Sequence, residues 1–82
     1  MAQMDHVDLW AEPRYLDGRQ IVAGLREFRL QPQIGETVTV GDTSGRRIDG
    51  TVKVIDAIPG NGLSVEVKLD RSTLRQTKQD SN

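Results

Sequence analysis

From Leu63 to Leu69 apolar and polar side chains alternate without a fault, with Leu63, Val65, Val67 and Leu69 on one parity and Ser64, Glu66 and Lys68 on the other. Successive side chains of a strand point to opposite faces, so the segment predicts a half-buried strand with one dry and one wet face. Pro59, Gly60, Asn61 and Gly62 precede it, a cluster of turn formers that folds the chain back onto the run Thr51 to Ile58. The two runs make a hairpin, with Val54 and Val67 expected in its core.

The same period recurs upstream. Ile34 to Val40 sets Ile34, Val38 and Val40 on the dry side against Thr37 and Thr39, which predicts another strand. Gly41, Asp42, Thr43, Ser44 and Gly45 form a turn, and the chain returns from Arg46 to Ile58. There Ile48, Val52 and Val54 share one parity while Ile55 and Ala57 take the other. A change of parity within one strand signals a bulge, or a crossing between the two sides of a barrel, placed here between Val54 and Ile55. Gly50, inside this strand, fits a sharp bend or a close backbone approach. His6 to Tyr15 carries Val7, Leu9 and Ala11 on one parity with Trp10 between them. It reads as a strand interrupted near Pro13, whose nitrogen has no proton for a ladder.

Residues 18–29 admit two readings. Asp17 followed by Gln20 resembles a capping box, Leu16 and Ile21 stand where a hydrophobic staple would, and Ile21, Val22, Leu25 and Phe28 make one helical stripe. Against a short helix stand Gly24 in its interior, the β-branched pair Ile21 and Val22, and Asp17-Gly18, a hairpin turn signal. A strand would place Val22, Gly24, Phe28 and Leu30 on one face. It is favoured because the sheet needs partners for its edges.

Short strands joined by glycine-rich turns predict a mainly β fold: a small antiparallel, partly open barrel of about five strands, SH3-like or OB-like, with one short helix in 18–29 as the variant. Between Ile34 and Asp70 a valine-rich strand, the D-x-x-G turn Asp42 to Gly45 and the G-x-V strand at Gly50 follow one another. That order resembles the rhythm of SH3-like barrels; the resemblance covers under half of the chain and implies a fold, not a function. At 82 residues the chain makes one domain, expected over 1–70. A domain of this size buries only about 60–65% of its unfolded surface, so its core is small. Residues 71–82 follow as a polar C-terminal tail whose one large apolar side chain is Leu74. That is too little burial to order it, so the tail and Met1 to Asp5 are expected to order only against a partner.

Composition narrows the chemistry. There is no cysteine, hence no disulfide and no thiolate ligand. The N-terminus lacks the basic and apolar regions of a secretory signal, and no apolar run reaches the roughly 20 residues of a membrane helix. A soluble protein is expected, cytoplasmic or within a macromolecular particle. Net charge is −1, from 11 basic and 12 acidic side chains, which argues against a general polyanion binder. The ends are polarised: residues 1–18 hold Asp5, Asp8, Glu12 and Asp17 against Arg14 alone, and residues 71–82 hold Arg71, Arg75 and Lys78 against Asp80.

No constellation points to catalysis. His6 is the only histidine, without a second imidazole for a metal or a neighbour to orient it as a base. Asp42, Asp49 and Asp56 recur at intervals of seven, but a turn and strands scatter them, and the alternating oxygen ligands of a calcium loop are absent. Gly41 to Gly45 is glycine-flanked and hydroxyl-rich, yet Arg46 and Arg47 open a strand where a phosphate-binding P-loop requires a helix. A weak anion site from the turn amides with Arg46 and Arg47 is the most this loop suggests. No enzyme activity, cofactor or metal is expected.

The pattern points first to a non-enzymatic β-barrel binding or assembly module that docks onto a protein partner or a second copy, such as a minor structural subunit of a phage virion. Its candidate contact residues are Arg46, Arg47, Arg71, Leu74, Arg75 and Lys78, with the basic tail meeting acidic groups on a neighbour. A nucleic-acid-associated barrel is the alternative. Against it, the chain has only Trp10, Tyr15 and Phe28 as stacking platforms, and Asp49, Glu66 and Asp70 interrupt the cations.

Overall fold

The computed structural model describes residues 6–58, 60 and 62–77. Among them the chain forms β1 (Leu9–Trp10), β2 (Gln20–Gly24), β3 (Thr37–Gly41), β4 (Arg46–Ile58) and β5 (Gly62–Gln76). Two 3-10 turns, η1 (Pro13–Asp17) and η2 (Leu25–Glu27), bracket β2. The strands make one sheet in the order β1-β3-β4-β5-β2, curled into a half-barrel. All pairings are antiparallel except that of β1 with β3. The expected small, partly open β-barrel is therefore what the chain forms, and the short helix considered for 18–29 is replaced by β2 followed by η2. None of the described residues belongs to a helix long and apolar enough to cross a membrane.

The β4–β5 hairpin forms where the alternation and the glycines place it. Ile58 pairs with Gly62 across a turn in which Gly60 and Gly62 take φ of 81° and 79°, a left-handed backbone that glycine adopts without steric cost. Beyond the turn Val65 and Val67 are fully buried and Leu69 nearly so, while Ser64, Glu66 and Lys68 face outward. The core joins them to Leu9, Leu16, Ile21, Phe28, Val38, Val40, Ile48 and Val52.

Parity corrects several expectations. Val54 is 36% exposed. The register runs Val52 to Val67 and then Val54 to Glu66, so the bulge falls at Lys53, slightly upstream of the expected break, and turns Val54 out while bringing Ile55 in against Val65. In β2 the face is the reverse of the one expected: Ile21 is buried and Val22 is 59% exposed. Phe28 reaches the core because η2 resets the alternation, whereas Leu30 stays outside. Ile34 is exposed because Gln33 to Glu36 form a turn, closed by Glu36 N–H donating to Gln33 O, before β3 begins. Near the N-terminus the strand is only Leu9–Trp10, and Pro13 starts η1, where its fixed φ suits a helical turn.

The tail does not begin at Asp70. β5 continues to Gln76, pairing Arg47 with Arg75 and Arg46 with Gln76. Between these pairs and Asp49–Asp70 the register shifts, and residues 71–74 stand opposite Ile48 alone. Polar contacts hold this stretch where apolar burial is scarce. Thr73 Oγ accepts from Asp49 N–H at 2.8 Å, the Gln76 side-chain amide donates to Ser44 O at 2.8 Å, and Leu74 packs against the core. Met1 to Asp5 and residues 78–82 lie outside the described residues.

Gly50 marks the tightest approach in the sheet. A Cβ there would lie 2.5 Å from Val67 Cγ1 and 2.8 Å from Lys68 O. Gly50→Ala is expected to destabilise the domain by about 1–3 kcal/mol, read as a lower urea midpoint, because a backbone oxygen cannot rotate away. Val67→Asp is expected to cost several kcal/mol, enough to unfold a domain of ordinary marginal stability. Val54→Asp should retain dispersed spectra, since its side chain faces water. The reverse result would overturn the register on either side of Lys53.

Candidate functional site

The turn between β3 and β4 is organised by a buried carboxylate. Asp42 Oδ1 accepts from Ser44 N–H (2.9 Å), Ser44 Oγ–H (2.7 Å) and Arg46 N–H (3.0 Å), and Oδ2 from Arg46 Nε–H (3.1 Å). Burial alone pushes this carboxyl up. The hydrogen bonds from the Ser44 hydroxyl, the Arg46 backbone, the Arg46 guanidinium and the Ser44 backbone outweigh it, and hold Asp42 below the usual carboxylate range. Arg46 extends the network by donating to Asp17 Oδ1 and to Pro13 O, each at 2.7 Å. The turn is thus clamped onto η1, and its oxygen-rich interior is occupied by the chain's own donors.

The residues singled out from the sequence are drawn into contacts of this kind. Arg47 is buried, lies with its guanidinium 5.0 Å from the Trp10 ring centre and donates to Arg46 O at 2.8 Å. Arg71 donates from Nη1 to Leu16 O and to Gly18 O, the latter at 2.8 Å. Arg75 bonds Asp49 Oδ1 at 3.2 Å, and Leu74 is half-buried. Lys78 lies outside the described residues. Arg46, Arg47, Arg71 and Arg75 each hold partners within the barrel, with Arg47 and Arg75 opposite one another on β4 and β5. With residues 71–76 paired to β4, the tail no longer argues for a neighbouring subunit.

A different surface carries three of the exposed large apolar side chains, Trp10, Tyr15 and Val22. β1 and β2 are the two ends of the sheet, and between them the half-barrel leaves an open seam. An antiparallel bridge joins Leu9 of β1 to Phe28, which follows η2. Along the seam runs a cleft of about 310 Å³. Its floor is Leu9 and Ile21 from the core with Ala11 and Ala23, and Trp10, Tyr15 and Val22 stand beside them, 57%, 43% and 59% exposed. These three come from β1, η1 and β2. Glu12 and Glu27 complete the lining, so its charged side chains are both carboxylates. Arg14 lies behind Tyr15, 5.0 Å from its ring centre and 3.2 Å from Glu12.

Two further clefts differ in character. One of about 470 Å³, lined by Leu25, Phe28 and Leu63 with Arg26 and Gln31, lies between η2 and the start of β5. The other, beside Lys53, Lys68 and Arg71, also contains Thr51, Leu69 and Asp70. No group of three or more His, Cys, Asp or Glu side chains placed to hold a metal ion occurs among the described residues. Comparison with protein family models, curated proteins and solved structures finds no match to this chain. The fold defines the class: a five-stranded half-barrel with an open seam between β1 and β2.

The exposure of Trp10 has a signal in the sequence, whereas that of Val22 has none. Trp10 alternates with Val7, Leu9 and Ala11 and so falls on the opposite, wet face of that run.

The Asp42 network carries a pH dependence whose sign follows from its lowered folded-state value. Its contribution is complete above the unfolded-state value of about 3.9 and is lost as pH falls through the folded one. Asp42→Asn is expected to lower the urea midpoint most near neutral pH, with the gap to the parent protein closing in acid. A gap that stays constant across that range would place the contribution in the turn geometry and not in the charge.

Proposed function

We propose that this protein is a non-enzymatic docking module whose seam between β1 and β2 receives a segment of a protein partner, the role of a minor structural subunit in a larger assembly. One observation carries the reading: Trp10, Tyr15 and Val22, from three separate elements, meet on a single cleft floored by core residues. Isolated exposed apolar side chains are ordinary, but an aromatic pair converging on one groove has the composition of a binding hot spot. Glu12, paired with Arg14, and Glu27, bonded to the Gly24 amide, both remain exposed in the lining and suit a segment that carries a basic side chain.

The nucleic-acid reading is weaker on this geometry. Single-strand binders place cations and stacking platforms in the same groove. Here Trp10 and Tyr15 line one cleft and Lys53, Lys68 and Arg71 another, where Asp70 is interleaved and Arg71 is already bonded to Leu16 and Gly18 carbonyls.

The test is selection of binders from a displayed library of linear random peptides. Selected peptides are expected to lose on the order of 2 kcal/mol, about thirtyfold in Kd, against Trp10→Ala, and less against Val22→Thr. Circular dichroism should keep its strand signature in both variants, and Trp10→Phe, which retains a ring over Arg47, separates loss of the docking surface from loss of that contact. A library that yields no peptide sensitive to either variant refutes the docking surface. Binding of a random-sequence single-stranded oligonucleotide below about 1 μM at about 0.15 M salt, with a steep salt slope, would favour the nucleic-acid reading instead.

A further inference from the structure

The seam exposes more than side chains. Arg19 O accepts from Leu69 N–H at 2.8 Å, and β2 pairs with β5 in unbroken register from Gln20–Lys68 to Gly24–Ser64. In an antiparallel ladder the backbone groups of successive residues point alternately to the two sides. Arg19, Ile21 and Ala23 therefore turn theirs to β5, while Gln20 and Val22 turn theirs to the opposite side. Gly24 shares that side, and its N–H is taken by Glu27 Oε2 at 3.2 Å. β2 is the end of the sheet, so the N–H and C=O groups of Gln20 and Val22 face its open edge, where Val22 lines the seam cleft.

This edge also lacks the usual guards. Exposed edges are commonly blunted by lysine, proline or a bulge, each of which discourages another strand from pairing. The free stretch of β4 beyond Val52 begins with such a device, the bulge at Lys53. β2, with sequence Gln-Ile-Val-Ala-Gly and a regular register, has none.

We propose that the seam takes an extended segment of a protein partner as an added strand, paired through backbone hydrogen bonds to Gln20 and Val22 and extending the half-barrel at β2. The inference rests on the docking reading above and specifies its mode. Alternate side chains of the added strand meet the floor of Leu9, Ala11, Ile21 and Ala23. The others lie outward beside Trp10 and Val22, with a lysine or arginine reaching Glu12 or Glu27. Backbone pairing supplies affinity and the alternate pockets supply selectivity, as in other cases of strand addition.

Two measurements on peptides selected from the displayed linear library test this. Amide exchange of Gln20 and Val22 is expected to slow by at least about tenfold on peptide binding, as these N–H groups enter a ladder. N-methylation of alternate peptide residues is expected to weaken binding at least about tenfold for the set that faces β2, with little effect for the other set. Glu12→Gln should selectively weaken peptides that carry a basic residue. Trp10-dependent binding that leaves both amides unprotected and tolerates methylation throughout would overturn strand addition while leaving the docking surface in place. Failure to obtain any peptide sensitive to Trp10→Ala or Val22→Thr would overturn both.

Discussion

The close pairing of β4 with β5 is the constraint on which the rest of the molecule depends. These strands meet at the centre of the sheet, with β3 and β1 attached to one side and β2 to the other. Val52, Val65 and Val67 are fully buried between them. The approach is tight enough that Gly50 leaves no space for a methyl group over Val67 and Lys68. Without that glycine the strands would have to separate, and the valines at the centre of a small core would lose their packing. The bulge at Lys53 depends on the same pairing: it releases the parity of β4 so that Ile55 returns to the core where the sheet curls.

Why the barrel remains open follows from what its ends are made of. β1 is two residues long, joined to β3 by a parallel pairing and to Phe28 by a single bridge. Such a short strand cannot carry a ladder along β2. The chain instead crosses between them as η1, which the Asp42–Arg46–Asp17 network and the Arg71 contacts hold in place. Polar side chains so engaged lend rigidity to the wall of the seam, and that rigidity keeps Tyr15 beside Trp10 and Val22. A docking site gains from such preorganisation because less freedom remains to be lost on binding.

The same accounting explains the C-terminal stretch. An apolar count finds only Leu74 in residues 71–76, and on that basis the strand should end at Asp70. It continues because the backbone ladder to β4 persists past Ile48, and because Thr73, Arg75 and Gln76 each find a polar partner on the adjoining elements. Such partners lie distant in sequence, so no local pattern announces them.

Period-two alternation and the placement of turn-forming residues were sufficient to specify the mainly β class, the β4–β5 hairpin with its glycine turn and the β3–β4 turn at Asp42, and left Gly50 as either a sharp bend or a close approach. These are local properties: a strand's side-chain period and a turn's need for glycine are properties of a few consecutive residues. Only the tertiary structure decided which parity is dry in β2, that Val54 and Ile34 face water, that the candidate arginines brace the barrel, and that the seam lies between Trp10 and Val22. Each of these depends on pairing between residues tens of positions apart, such as Ile21 with Val67 and Arg47 with Arg75. A shift of one residue in such a pairing exchanges the two faces of a strand, and the local sequence is compatible with either.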